Sequence, residues 1–242
     1  MKSLNRTLIC LVAVLAFGAL AASAASAAKP EFSPNGSHKF TSKNGAATLE
    51  VVNGEKVTCT GGTGTGETAE TKGLKKVILS LTGCSTKVSG LKVSCGTSGT
   101  ITTKELEGQL EYLPAGTKEK VGQDLWPVGT TTKELEEGKS TKLFAEFKCL
   151  IVTIKVRGSV IGEIKPVNTK VGPKEATTHF TLTYEQAAGV QKYTESEIEI
   201  AGKLHKVKDF LETESSTTKK FEQSGQALTA EVFPEEALEI SA

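Results

Sequence analysis

The sequence predicts an all-β fold, an antiparallel two-sheet sandwich stapled by disulfides, with a closed β-barrel as the alternative arrangement. Three observations carry that prediction. Apolar residues recur with period two along several short segments, as strands with one buried side require. Beyond residue 28 the chain holds 30 threonines and 23 glycines, a composition that suits pleated strands and tight turns better than helices. Four cysteines remain in a chain that opens on an export signal. Strands that are apolar on one side must bury that side, and two sheets do so by facing each other.

At the amino end, Lys2 and Arg6 precede the apolar run Leu8 to Leu20, which ends at the small-residue tract Ala21 to Ala28. This is the three-part layout of a secretory signal peptide. The run is shorter than the ~20 residues a membrane-spanning helix needs. Ser26 and Ala28 give the small-x-small pattern for cleavage before Lys29, with cleavage after Ala27 as second choice. Cys10 is expected to leave with the signal, since bulky Leu8 and Ile9 precede it where a lipid-modified cysteine needs a small residue. The expected organisation is therefore a signal over residues 1–28 and one β-rich extracellular domain over 29–242, with a possible subdomain boundary in the polar, turn-rich stretch 114–142.

The first hairpin is expected across Thr48 to Cys59. A two-residue Asn53-Gly54 loop would split its apolar residues between two faces. A three-residue loop, Val52-Asn53-Gly54, pairs Leu49 with Val57 and Ala47 with Cys59 and gathers them on one side, so it is the preferred register. Further strands follow by alternation: Val77, Leu79 and Leu81; Leu91, Val93 and Cys95; Leu143, Ala145, Phe147 and Cys149; and Phe180, Leu182 and Tyr184. The apolar run Leu150 to Ile164 is expected to be the most buried strand or strand pair, with Gly158 and Gly162 as bulges or close backbone approaches. Glu195 to Ile200 precede an Ala201-Gly202 turn, glutamates toward solvent. The helix candidates are Gln186 to Tyr193 and a turn begun by Pro234-Glu235-Glu236. The string Thr102-Thr-Lys-Glu-Leu-Glu107 recurs unchanged as Thr131 to Glu136, but the match stops at once, so it is read as chance and not as a repeat.

Cys59, Cys84, Cys95 and Cys149 point to two disulfides. Their intervals of 24, 10 and 53 residues contain no closely spaced zinc-ligand pair. The pairing expected is Cys84 with Cys95, across neighbouring short strands, and Cys59 with Cys149, tying the first hairpin to the central strand.

The mature net charge of −1 gives no electrostatic reason to expect nucleic acid or an anionic membrane as partner. Only Asp124 and Asp209 are aspartates, which disfavours calcium loops. Gly61 to Gly66 resembles a phosphate loop, yet Glu67 and Glu70 follow where a helix N-terminus should receive phosphate, so a glycine-threonine strand or turn is the better reading. No GxSxG occurs, and the pairs Ser89-x-x-Lys92 and Ser216-x-x-Lys219 lack partner motifs. His38, His179 and His205 lie far apart and, with Asp124 and Asp209, are not expected to converge on one pocket. Glutamate pairs leave a glycosidase open, though aromatic platforms for sugars are scarce.

The segments Val57-Thr-Cys59, Thr65-Gly-Glu67, Leu81-Thr-Gly-Cys84, Cys95, Ile101-Thr-Thr103 and Leu106-x-Gly108-x-Leu110 resemble a family of exported actinobacterial proteins of uncharacterised function. A weaker likeness runs through Phe147-x-Cys149 and Val156 to Ser159 to Glu236-Ala-Leu-Glu-Ile240. The resemblance implies export and a shared cysteine frame, and it brings no reaction or ligand. No catalytic, cofactor-binding or metal-binding residue is expected, and no cofactor. The functional expectation is a secreted, non-catalytic binding or structural module of the cell surface, its partner cell-envelope material or another protein. The alternative is a secreted hydrolase whose site the sequence does not display.

Overall fold

Two long strands organise the molecule because each is shared between two sets of neighbours. The computed structural model describes residues 29–115, 117–173 and 178–242, and the expected export signal lies outside them. In chain order the strands are β1 (Glu31–Ser33), β2 (Lys39–Val51), β3 (Lys56–Cys59), β4 (Gly61–Ala69), β5 (Gly73–Thr82), β6 (Ser85–Val88), β7 (Leu91–Ser94), β8 (Ile101–Thr102), β9 (Leu106–Leu113) and β10 (Lys120–Pro127), followed by helix α1 (Thr132–Glu137). They continue with β11 (Leu143–Cys149), β12 (Val152–Gly158), β13 (Val160–Lys165), β14 (Phe180–Tyr184), β15 (Gln186–Ala187), β16 (Val190–Gln191), β17 (Glu195–Ile200), β18 (Lys203–Lys208), β19 (Leu211–Ser215), β20 (Phe221–Pro234) and β21 (Glu239–Ser241).

Strands β2, β4, β5, β9, β10, β13, β14 and β20 pair antiparallel in that order, and β20 returns to β2. The fold is all-β, and of the two arrangements expected it takes the closed barrel in place of the two-sheet sandwich. The β2–β20 pair decides this. It runs from Phe40↔Pro234 to Val51↔Ser224 with a bulge between Asn44 and Ala47, joining what would otherwise be two free sheet edges. Leu106, Leu110, Leu125, Val160, Phe180 and Leu228 are among the buried side chains that fill the core.

Strand β4 is the glycine run. Its Gly64 and Gly66 are buried while Thr63 and Thr65 are exposed. A β-carbon at Gly66 would run into the Phe40 ring, its register partner on β2. The glycines thus make room for an aromatic residue inside the barrel, and the strand reading holds.

Beyond the barrel the two long strands stay paired but exchange their outer neighbours, and so form a second arc. The far half of β2 pairs with β3 in the three-residue-loop register, Ala47↔Cys59 and Leu49↔Val57. The first part of β20 pairs with β19. Strands β6 and β7 extend the arc from β3, and β12 and β11 extend it from β19. The two ends meet at the antiparallel bridge Cys95↔Cys149.

That meeting corrects the disulfide assignment. The bonds are Cys59–Cys84 and Cys95–Cys149, with Cα–Cα separations of 3.9 and 4.2 Å. Pairing of β3 with β6 sets Cys59 beside Cys84, and the arc's closure sets Cys95 opposite Cys149. Cys84 and Cys95 are also neighbours, but through backbone, Cys95 N–H donating to Cys84 O at 2.9 Å.

Three further expectations change. Leu150 and Ile151 do not begin the most buried strand; they form the exposed turn between β11 and β12, and the deep burial begins at Val156. Leu91 opens β7 but is 72 % exposed. Gln186 to Gln191 make the small β15–β16 hairpin, and Pro234 ends β20 into a bend. The helix is instead α1, within the second copy of the Thr-Thr-Lys-Glu-Leu-Glu string. The stretch 114–142 carries β10, a wall strand of the barrel, as well as α1.

The β17–β18 hairpin lies on the outer side of β9, where Gln109 exchanges two hydrogen bonds with the backbone of Glu199 (3.1 and 2.7 Å). Trp126, Leu135, Ile198 and Val207 form a small second core beneath it. Strands β1 and β21 pair with each other and bury Phe32 and Ile240 against the main core.

Candidate functional site

The second arc borders an open cavity of about 1080 Å³. Its walls come from the β2–β3 hairpin, the β6–β7 hairpin, β12, and the turn between β19 and β20. It is lined by Leu49, Val57, Val152 and Ile154, each partly buried; Leu49, Val57 and Ile154 also pack against the main core. Leu49 and Val57 also border a small apolar recess lined by Phe144, Phe147 and Val156, which continues the floor toward the barrel.

The upper wall is rich in hydroxyls. Thr213 and Ser215 of β19 are buried and already partnered, Thr213 Oγ1 with Ser224 Oγ at 2.8 Å and Ser215 Oγ with Thr217 Oγ1 at 2.7 Å. The rim carries Lys56, Lys87 and Lys92 together with Glu55 and Glu222. Lys56 is held by Glu50 at 3.0 Å, and Glu222 accepts from Asn53 at 2.9 Å. Hydrogen bonds from Gln186 and then Lys56 hold the Glu50 carboxyl below its ordinary range.

A second polar cluster sits on the opposite side of the barrel wall. Asp124 of β10, Glu111 of β9 and Asp209, just after β18, are all buried. Ser159 Oγ donates to Asp209 Oδ1 at 2.9 Å, and Lys29 Nζ reaches Glu111 Oε2 at 3.3 Å and the Glu197 carbonyl at 2.6 Å. Burial pushes the Glu111 carboxyl up to about 8, against the pull of Lys29. Asp124 is raised well above the usual carboxylate range, first by burial and then by the charge of Asp209; Asp209 is raised by burial, with the adjacent Asp124, the nearby Ser196 hydroxyl and the Ser159 hydrogen bond opposing the rise. Asp124 Oδ1 and Oδ2 and Asp209 Oδ2 are buried without a hydrogen-bond partner among the described residues, so a proton retained between the two carboxyls gives each carboxyl a partner in the other.

The two aspartates meet, though in a fully buried cluster and not in the cavity. The histidines stay apart. His38 pairs with Glu236 (3.4 Å), His205 with Glu136 (2.8 Å), and His179 packs its ring on Phe233. Among the described residues no group of three or more His, Cys, Asp or Glu side chains is placed to hold a metal ion. Cys59, Cys84 and Cys95 are buried frame, while Cys149 contributes to the cavity wall.

Sequence reasoning passed over Glu111 and Lys87, and weighed Lys92 only within the pair Ser89-x-x-Lys92. For the acid cluster a signal existed: the only two aspartates in a glutamate-rich chain are both followed by large apolar residues, Leu125 and Phe210. No family model, curated protein or solved structure matches the chain.

Proposed function

We propose that the protein is an exported, non-catalytic binding module that holds its ligand in the cavity of the second arc. The observation that carries this is the cavity itself: about 1080 Å³ of open space, apolar at its floor and hydroxyl-lined at its wall, built around a disulfide that closes the arc. Two disulfides belong to an oxidising compartment. The likeness of the cysteine segments to exported actinobacterial proteins supports the same setting, and cell-envelope material is the partner proposed for that setting. Among the described residues no helix is long and apolar enough to cross a membrane.

The test is retention of fractionated cell-envelope material by the purified chain and by Val57→Trp, which fills the floor. Loss of retention in a variant with unchanged far-ultraviolet circular dichroism supports the reading; equal retention by both overturns it. The hydrolase reading would rest on Asp124 and Asp209, which are shut beneath the β17–β18 hairpin. Turnover of ester, peptide or glycoside substrates, abolished by Asp124→Asn, would establish it.

A further inference from the structure

Antiparallel pairing passes from β2 through β3, β6 and β7, across the Cys95↔Cys149 bridge to β11, and on through β12 and β19 to β20. Because strand direction alternates around this arc, its four hairpin turns, 52–55, 89–90, 150–151 and 216–220, all lie at one end. Of the nine large apolar residues exposed among the described residues, five sit on or beside these turns: Val52, Val88, Leu91, Leu150 and Ile151. The three most exposed of the nine are in this group, Ile151 at 92 %, Leu91 at 72 % and Leu150 at 67 %. Folding does not account for Leu150 and Ile151. They bury little surface, and Leu150 holds φ 56°, a left-handed conformation ordinarily given to glycine or asparagine in a two-residue hairpin turn.

Positive charge gathers at the same end. Lys87, Lys92, Lys148, Lys219 and Lys220 lie in or within two residues of the turns, are exposed, and make no ion pair among the described residues. Of the glutamates equally near, Glu50 is held by Lys56 and Glu214 by Lys155, which leaves Glu55 and Glu222. The net charge of −1 on the mature chain hides this asymmetry. Apolar tips among unpaired lysines suit the interface of an anionic bilayer, where the tips enter the upper acyl layer and the ammonium groups meet the phosphates. The apolar residues are spread over three separate turns. A fluid lipid layer admits such tips one by one, whereas a folded partner needs one continuous complementary patch.

We propose that the turn end of the second arc docks on the surface of an anionic lipid bilayer, with Leu91, Leu150 and Ile151 inserted and the lysines at the head groups. This goes beyond the cavity reading and does not rest on it. Asn53, Ser89 and Thr217, from three of the four turns, also border the cavity, so a docked molecule turns the cavity toward the lipid.

The experiment is flotation of the exported protein with vesicles of phosphatidylcholine alone and of phosphatidylcholine mixed equally with phosphatidylglycerol. Binding to the mixed vesicles only is expected, and it should fall when salt is raised to about 0.5 M. Leu150→Gly combined with Ile151→Ser gives the turn a favoured Gly-Ser pair, so Tm should hold or rise while vesicle binding weakens roughly tenfold. Lys87→Gln combined with Lys92→Gln should weaken binding to the mixed vesicles by about the same factor. Leu204→Ser, at an exposed leucine of β18 in the hairpin outside β9, should change nothing. No flotation, equal flotation with neutral vesicles, or unchanged flotation of the turn variant overturns the proposal. A dimer in sedimentation equilibrium that the turn variant abolishes, without flotation, would assign the tips to a second copy of the chain. Val57→Trp should float as the unaltered protein does. Envelope retention that is lost in Val57→Trp, with no flotation of either protein, would remove the docking and leave the cavity reading standing.

Discussion

A β-carbon at Gly54 would meet no atom within 4 Å, so glycine is needed there for its backbone and not for space. Its φ of 91° lies where a β-branched residue is strained. Gly54→Val is expected to cost about 1–2 kcal/mol. Asn53→Ser should cost less, because a serine hydroxyl can replace the Asn53 Oδ1 that accepts from Glu55 N–H at 2.9 Å. Thermal denaturation of the two variants side by side checks this, and equal Tm values would refute it. The loop was legible in the sequence because its determinants are local: a glycine at the required place, and a register in which Ala47, Leu49, Val57 and Cys59 share one side. Leu150 is the reverse case. No turn-forming residue marks positions 150 and 151; the pairing of β11 with β12, closed at Cys149 and Val152, and the distant bridge of Cys149 to Cys95 hold the chain in a reversal on two apolar residues.

Six identical residues adopt two structures in this chain. Thr102 to Glu107 leaves β8 and enters β9, whereas Thr131 to Glu136 caps and forms α1. The difference lies in the neighbours. Ile101 and Leu106 are drawn into the core beside β5, while Gly138 closes the helix in the left-handed region, at φ 66°. Thr131 accepts from Glu134 N–H, and Glu134 accepts from Thr131 N–H at 2.8 Å, so Thr131→Ala should cost about 1 kcal/mol. The same change at Thr102, exposed on β8, should stay within ~0.5 kcal/mol; urea denaturation of both variants decides. Alternating strands such as β5, β14 and β17 could be read from sequence, but a six-residue helix shows no period. The disulfides escaped for another reason: pairing depends on which strands become neighbours, and Cys95 meets Cys149 only once the arc is closed. Replacing Cys95 and Cys149 together with serine should therefore loosen β7 and β11 while leaving the barrel strands intact. Hydrogen exchange is expected to rise across Leu91–Ser94 and Leu143–Cys149 and to stay slow in β10 and β13; uniform acceleration would count against this division.

At the scale of the whole molecule, alternation could predict strands but could not say that β20 would return to β2, because closure is a contact between residues some 180 positions apart. The acid cluster has the same origin. Asp124 and Asp209 are brought together when the β17–β18 hairpin lies across the barrel, and they make stability depend on pH. Glu111 titrates at about 8 when folded against 4.5 as its ordinary value, and Asp124 and Asp209 are raised in the same direction. Above the ordinary carboxyl range the unfolded chain releases these protons while the folded chain retains them. Stability from this cluster is therefore greatest at acid pH and falls as pH rises from about 4.5 to about 8, by a few kcal/mol in order of magnitude. Lys29 and Lys72 moderate the loss at Glu111, while Glu195 adds to the repulsion at Asp209. Glu67, Glu134, Glu163 and Glu199 act oppositely: their lowered values contribute stability that is lost as pH falls below the ordinary carboxyl range. The two trends place the maximum near pH 5. Calorimetric Tm should fall from pH 5 to pH 8, and Asp124→Asn should flatten that slope, since an amide neither releases a proton nor loses its hydrogen bond to Asp209. A Tm that is level or rising over the interval, or a slope unchanged in Asp124→Asn, would show that the buried acids do not control it.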